Sequence, residues 1–420
     1  MDRSGKKVVA ITGIAHFFAH FFELIFPAMT MYIARDLNVD VNAVIQAGFL
    51  LYLLYGVLAL PWGYLADKVG ANAALGIGLL IASLGSVLAG CSYTIPSLVL
   101  CLSAIGVGIA SVHPTAMALI SYSIPQRGKA LGLFGIWGQF GMLLAPLVGG
   151  IVGYYFGWRV ILIGSGLVGI PAGLITIMLK ASHVKAIKEN EAELVCGVRS
   201  AKCFAVLCIA IVLAGIVYRG SIVTIPVYFE QRAWGITHGL LETVSSLNLF
   251  DIPAVGEKEK TLGATILMSV MFIIGMCGQR IGGYAADRFD LRLAYLGFFV
   301  PAIPVSIAMA YFSDWSLVLA SSLFIGLTLG VQPIESSLVA ILSPVSKRAS
   351  AYGVKFVLGL GVGAFAVWLV TFSRSLWGIS SVYVVLAAIL FGVVLSMLAI
   401  LRISHGTSMK HGHLTASQIS

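Results

Sequence analysis

Twelve apolar runs of membrane-spanning length divide this chain, and they leave it one kind of fold. A helix that crosses the hydrocarbon layer needs roughly 20 apolar residues, and charged or turn-rich breaks mark where each one ends. The runs predict helices near 8–33, 42–65, 73–92, 97–121, 130–154, 158–180, 203–229, 262–284, 293–312, 316–343, 353–373 and 380–402. Charged residues make up 10% of the sequence, far below the roughly 25% of soluble domains. The expected fold class is an all-α polytopic membrane protein. The first run carries His and Glu, is longer than a signal-peptide core and is followed by no small-residue cleavage pattern, so it is expected to stay in the mature chain.

The formal net charge of +9 would raise nucleic-acid binding in a soluble chain. Here the basic residues fall between the runs, and assigning them to one side follows the rule that cytoplasmic loops are rich in Lys and Arg. Both termini are therefore expected in the cytoplasm, in a cell (inner or plasma) membrane, with lipid and not nucleic acid as the surrounding partner. The six cysteines form no C-x-x-C pair and lie mostly inside apolar runs, as small packing residues do.

The sequence repeats itself. GYLADKVG at 63–70 returns as GYAADRFD at 283–290, and GVGIASVHPTAMALISYSIP at 106–125 parallels GLTLGVQPIESSLVAILSP at 326–344, with Pro114 matching Pro333. Duplication is the simplest cause. The expected organisation is a six-helix bundle over 1–180, a cytoplasmic linker over 181–202, a second bundle over 203–403 and a cytoplasmic tail over 404–420. A connection near 230–261 is expected outside, and its length marks it as either functional or disordered. Two six-helix halves in parallel repeat are a transporter architecture, with the substrate site near the midplane.

Within the first run, His16, His20 and Glu23 are spaced by four and three residues, which puts them on one helical stripe. An ionised group at bilayer depth costs about 2.5–3.5 kcal/mol on insertion scales. Glu23, Arg219 and Glu335 facing lipid together would cost roughly 8–10 kcal/mol, comparable to the whole stability of a typical protein. They are expected to face inward.

These features resemble the major facilitator superfamily over essentially the whole chain. Its signature loop appears as Gly63, Asp67, Lys68 and Gly70, with a repeat copy at Gly283, Asp287 and Arg288. Gly141, Pro146, Gly149 and Gly150 in the fifth helix resemble the antiporter motif, with Ala145 standing where that pattern has Gly; small residues there equally serve close helix packing. His16, His113 and Pro114, with Trp158 and Arg159, are similar to the fosmidomycin-resistance type of efflux protein. The resemblance implies that helices one, four, seven and ten line the cavity, and the unusual polar residues fall on them. It also implies contacts of the two signature loops that latch the cytoplasmic side, Asp67 with Lys355 and Asp287 with Arg127 or Lys129.

Glu23 is the leading proton-coupling candidate, with His16, His20 and Glu335 beside it; Glu23 as a partner of Arg219, and Glu335 as a partner of a basic group, stay open. Arg219 is the expected anion contact, since its planar fork grips a carboxylate or phosphonate with two parallel bonds. His113, Gln332 and Tyr218 complete the substrate-binding set. No phosphate loop, nucleophile elbow or cofactor motif is present, so the chain is expected to be no enzyme, to hold no cofactor or resident metal, and to work as a monomer. The reading is a secondary active transporter driving proton-coupled efflux of a small organic, anionic or drug-like, molecule. Its rivals are a symporter importing an organic acid, a transition-metal exporter using the His16, His20 and Glu23 stripe, and a non-transporting receptor or scaffold.

Overall fold

The computed structural model describes residues 3–124, 127–178, 198–246, 256–343 and 348–405, together with Met409. Among them every regular element is helical. The first six spans are α1 (Arg3–Asp36), the broken second span α2 (Val41–Ala47), α3 (Phe49–Val57) and α4 (Ala59–Val69), then α5 (Ala71–Gly90), the broken fourth span α6 (Ile95–Ile109) and α7 (Val112–Ser123), α8 (Arg127–Phe156) and α9 (Trp158–Met178). The rest are α10 (Val198–Arg232), the short α11 (Trp234–Ser246), α12 (Glu257–Arg288), α13 (Leu291–Tyr311), the broken tenth span α14 (Asp314–Gly330) and α15 (Gln332–Leu342), the eleventh span with α16 (Arg348–Phe356) and α17 (Ala366–Trp377), and α18 (Ser381–Ile403). Among the described residues, eleven helical stretches are long and apolar enough to cross a membrane, or twelve if the pair bent by 49° over Val41–Val69 is one span. Leu100, Val168, Leu319 and Phe372 on their outer faces are more than half exposed. An outer surface this apolar is suited to lipid and not to water.

Contacts divide the chain into two compact units: Met1–Glu189 with Ile222–Ser269, and Asn190–Ser221 with Val270–Ser420. In the first unit α1 lies along α8, and α5 is wedged between α6 and α9. Glycine makes this approach possible, since a Cβ on Gly141 would strike the Phe17 carbonyl and one on Gly149 would press on Ile25 and Met29. A Cβ on Gly150 would strike Thr265 of α12. The end of α1 explains why residues beyond 222 belong to this unit. The Arg35 guanidinium meets the buried carboxylate of Glu230, lies 3.0 Å from Glu257 and donates to Thr261 Oγ1 at 2.7 Å, while Tyr154 of α8 donates to Glu259 at 2.9 Å. The described residues of the connection expected over 230–261 are largely helical, with α10 running to Arg232, α11 following and α12 opening at Glu257.

In the second unit α13 is the central helix, packed on α14, α15 and α18. Asp290 caps it by accepting from the Arg292 N–H at 3.0 Å, and the same carboxylate takes the Arg292 guanidinium at 2.7 Å and the Met409 N–H at 3.1 Å. Burial pushes the Asp290 carboxyl up, but these bonds outweigh it and hold the group below its ordinary range. The eleventh span departs from α geometry between Val357–Gly361, a π segment, and Val362–Phe365, a 3-10 segment. Here a Cβ on Gly215 of α10 would strike the Gly359 carbonyl, so two backbones touch where the helix changes its pitch.

Both signature loops end a span in the same way. Lys68 lies 4.4 Å over the Tyr64 ring and Arg288 lies 4.5 Å over the Tyr284 ring, each one turn after its tyrosine. Gly70 closes the first copy with φ 89°, a left-handed conformation that suits glycine. Asp67, Asp287 and both basic residues are exposed, and the side chains of Arg127 and Lys129 lie outside the described residues. The linker over 181–197 and the tail histidines His411 and His413 also lie outside them. Cys91 and Cys277 are exposed on outward faces instead of packed between helices; among the described cysteines Cys203 is buried.

Candidate functional site: a histidine–carboxylate chain inside the first unit

Pro114 and Pro333 decide where polar groups enter the two units. Proline has no N–H to give to the carbonyl four residues back, so a span that reaches it breaks or bends. The fourth span breaks between Ile109 and Val112 and the tenth between Gly330 and Gln332. His113 sits at the first break; Gln332 and Glu335 open the helix after the second.

In the first unit three histidines and a glutamate meet. His16 Nδ1 lies 2.7 Å from the Phe134 carbonyl oxygen, His16 Nε2 lies 3.0 Å from His20 Nε2, and His20 Nδ1 lies 2.8 Å from Glu23 Oε2. The His113 ring stands edge-on to both rings, with centroids 5.0 Å from His16 and 5.5 Å from His20, and Tyr55 of α3 reaches its Nε2 at 2.8 Å. Glu23 is fully buried, whereas the His20 side chain keeps 16% exposure and so gives the chain an outlet to water. Two features of α8 fix His16. The Phe134 ring stacks on it at 3.9 Å, and Gly138 leaves room for it, since a Cβ there would overlap the imidazole.

This geometry counts protons. A carbonyl oxygen only accepts, so His16 Nδ1 carries hydrogen and, in a neutral ring, His16 Nε2 is an acceptor. His20 Nε2 must then donate across the 3.0 Å contact. A neutral His20 that donates from Nε2 accepts at Nδ1, which requires the hydrogen between it and Glu23 to belong to Glu23. The other solutions put both hydrogens on one imidazole, His20 or His16, and leave Glu23 ionised. In each case the chain holds one proton more than neutral histidines beside an ionised carboxylate, and its net charge is zero. Remove that proton and two lone pairs face each other inside a membrane protein.

The ligating nitrogens of His16, His20 and His113 also lie within 4.8 Å of one another, close enough to consider a shared ion. Two imidazole nitrogens at about 2.05 Å from a tetrahedral ion stand about 3.3 Å apart. The observed 3.0 Å suits a hydrogen bond better.

The second unit holds the other charged candidates. Arg219 on α10 is 1% exposed, and its guanidinium lies 5.6 Å from the Tyr218 ring centroid, so these neighbours interact despite pointing apart along an ideal helix. Glu335 pairs with Lys355 at 3.2 Å and accepts from Tyr295 of α13 at 3.2 Å. Lys355 was expected as a gating cation near the surface. It is instead 6% exposed, because α16 packs against α15 and turns it toward Glu335 and Ser336. The roles of Tyr55, Phe134, Gly138 and Tyr295 had no sequence signal, since each reads as an ordinary apolar or small residue of its run.

A profile of the Major Facilitator Superfamily matches residues 9–354. The chain belongs to that superfamily. It is 30% identical over 149 residues to the riboflavin transporter RibZ of Clostridioides difficile, covering 35% of this chain and 32% of that one. It is 27% identical over 244 residues to a probable L-galactonate transporter of Escherichia coli, covering 56% and 51%. It is 26% identical over 296 residues to the multidrug resistance protein MdtG of Enterobacter lignolyticus, covering 64% and 70%. The match thus spans about a third to a half of the length of the first two relatives. Solved structures share the fold at low identity. The nucleoside transporter NupG aligns with a TM-score of 0.71 at 16% identity, covering 94% of this chain and 99% of that one. An inward-facing bacterial homolog of the human lysosomal transporter Spinster gives 0.65 at 16%, covering 96% and 95%. The chain is therefore a membrane-embedded member of the superfamily, and two of these relatives are named as transporters.

Proposed function

We propose that this chain is a proton-coupled secondary transporter of a small organic anion, working outward, with both termini in the cytoplasm. The observation that carries the coupling is the chain from the Phe134 carbonyl through His16 and His20 to Glu23, whose geometry requires one exchangeable proton. His20 and Glu23 hold that proton, and His16 fixes its direction. Arg219 supports an anionic cargo because a guanidinium stays charged at any working pH and pairs with carboxylates. The L-galactonate relative is consistent with an organic acid, while the multidrug relative and the likeness to fosmidomycin-resistance proteins support export.

Two measurements test this. Purified protein in weakly buffered detergent should take up one proton fewer across the neutral range in Glu23→Gln than in wild type, because the amide donates to His20 permanently and the carboxylate that called for the extra proton is gone. Equal proton uptake by the two proteins would refute the coupling site. In inverted vesicles, an acidic lumen should drive accumulation of galactonate, benzoate or methylphosphonate in wild type and not in Glu23→Gln. Accumulation driven instead by an alkaline lumen would assign import. Stabilisation by zinc that vanishes in His20→Ala would assign metal as the cargo. Loss of function on deleting 234–246 but not in Glu23→Gln would point to a receptor.

A further inference from the structure

A cavity of about 460 Å³ opens where α12 gives way to α13 in the second unit, and it takes no residue from the coupling chain. That volume lies within the roughly 300–1,000 Å³ of small-molecule sites. Its walls are Ala285 and Phe289 from the end of α12 and Leu293, Ala294, Gly297 and Phe298 from the start of α13. Phe289 and Leu293 are 56% and 58% exposed, and Gly297, one turn after Leu293, is exposed as well. The mouth therefore opens on the apolar outer surface of this unit, the surface suited to lipid. An open apolar slot there has the chemistry of a hydrocarbon chain's bed.

Two charged residues border the cavity, Arg288 and Asp290. Asp290 is fully occupied. Its Oδ1 accepts from the Arg292 backbone N–H at 3.0 Å and from Arg292 Nε at 2.9 Å, while Oδ2 takes Arg292 Nη2 at 2.7 Å and the Met409 N–H at 3.1 Å. Two donors on each oxygen fill a carboxylate, and the Arg292 guanidinium matches its charge. Arg288 is different. Its guanidinium is exposed, rests 4.5 Å over the Tyr284 ring and makes no ion pair among the described residues. Its exposed neighbour Asp287 is not part of the cavity wall. The rim thus carries one unmatched positive charge beside an apolar slot.

We propose that this cavity holds one anionic phospholipid, with its phosphate on Arg288 and part of one acyl chain in the slot formed by Phe289, Leu293, Gly297 and Phe298. A guanidinium meets a phosphate with two parallel hydrogen bonds. The occupant comes from the membrane, because the mouth lies on the apolar outer surface and a free anion would leave the slot unfilled. The headgroup is anionic overall, because Arg288 is the unmatched charge of the rim and the Asp290 carboxylate has no capacity left for an added ammonium. With the orientation proposed above, this end lies in the cytoplasmic leaflet, where basic pockets between helices collect anionic headgroups. A lipid seated here ties the turn between α12 and α13, which also anchors Met409, to the leaflet. Binding moves no proton and uses no residue of the first unit, so it stands or falls apart from the coupling chain.

The test is native mass spectrometry of the purified full chain, stripped of lipid in a non-ionic detergent and titrated with dioleoyl phosphatidylglycerol. One copy should bind more tightly than all that follow. Arg288→Gln should weaken that copy by about five- to tenfold, the effect of losing one charge and its paired bonds near the membrane surface. Gly297→Leu should weaken it at least as much by filling the slot. A Cβ on Gly297 meets nothing within 4 Å and Arg288 is exposed, so both variants should melt like wild type without lipid. Lys68→Gln, in the other copy of the signature loop, should bind like wild type. Phosphatidylglycerol should raise the melting temperature, and inorganic phosphate at the same concentration should not. Copies that add with no tighter first one would mark the lipid as ordinary solvent of the outer surface and overturn the proposal. So would tight binding that survives in Arg288→Gln or in Gly297→Leu, phosphatidylethanolamine held as tightly as phosphatidylglycerol, or equal stabilisation by inorganic phosphate.

Discussion

Adding one methyl group at Gly138 should disable the coupling chain without replacing any ionisable residue. A Cβ on Gly138 would strike His16 Cε1 and lie 2.6 Å from Nδ1 and 2.7 Å from Nε2, about 0.8–0.9 Å inside the roughly 3.5 Å of ordinary contact for the two nitrogens. The imidazole has nowhere to retreat, because Phe134 stacks on it at 3.9 Å. Overpacking of this kind costs about 1–3 kcal/mol, and a ring pushed aside loses a hydrogen bond, about 1 kcal/mol more. Gly138→Ala should therefore destabilise by about 2–4 kcal/mol in total. Gly135 is the control on the same helix. A Cβ there meets nothing within 4 Å, and Gly135→Ala should be neutral or stabilising by up to about 1 kcal/mol from helix propensity. Thermal melts in one detergent rank the pair, and proton-driven accumulation in vesicles reads function. The Gly138→Ala penalty should also shrink in a His16→Ala background, as a cycle of the two substitutions would reveal. If Gly138→Ala melts and transports like Gly135→Ala, the placement of His16 described above is wrong.

Two further outcomes follow from the buried charges outside the coupling chain. Arg35→Met leaves the buried Glu230 carboxylate without its guanidinium; the Arg35 side chain is 29% exposed, so the loss should be about 2–3 kcal/mol, under the roughly 3–5 of a fully buried pair, and Glu230→Gln in the same chain should restore part of it in a melting assay. Asp290 has a depressed carboxyl in the folded chain, so its contribution is complete above the carboxyl's unfolded value and is lost as pH falls through the folded one. The melting-temperature gap between wild type and Asp290→Asn should accordingly be widest near about pH 7 and close on acidification below about pH 4; a gap that widens in acid would contradict the bonds assigned to Arg292 and Met409.

Hydropathy in the sequence determined that this chain crosses a membrane about twelve times, because no span can leave its backbone unpaired in lipid and each therefore needs a full-length apolar helix. The duplicated signature loops determined the superfamily, and the spacing of His16, His20 and Glu23 placed them on one stripe, since helical period alone brings i, i+4 and i+7 together. Tertiary structure decided what those residues do. Which ring nitrogen carries hydrogen follows from the Phe134 carbonyl, a backbone atom more than a hundred residues away that no residue type announces. Lys355 has a snorkelling cation's sequence context, yet the packing of α16 on α15 seals it against Glu335. Glycines such as Gly138 look interchangeable along the chain and differ entirely in space. A helix's own period is local and can be read from its residues, whereas proton placement and ion pairing depend on which distant backbone comes within about 3 Å, and only the folded chain sets that distance.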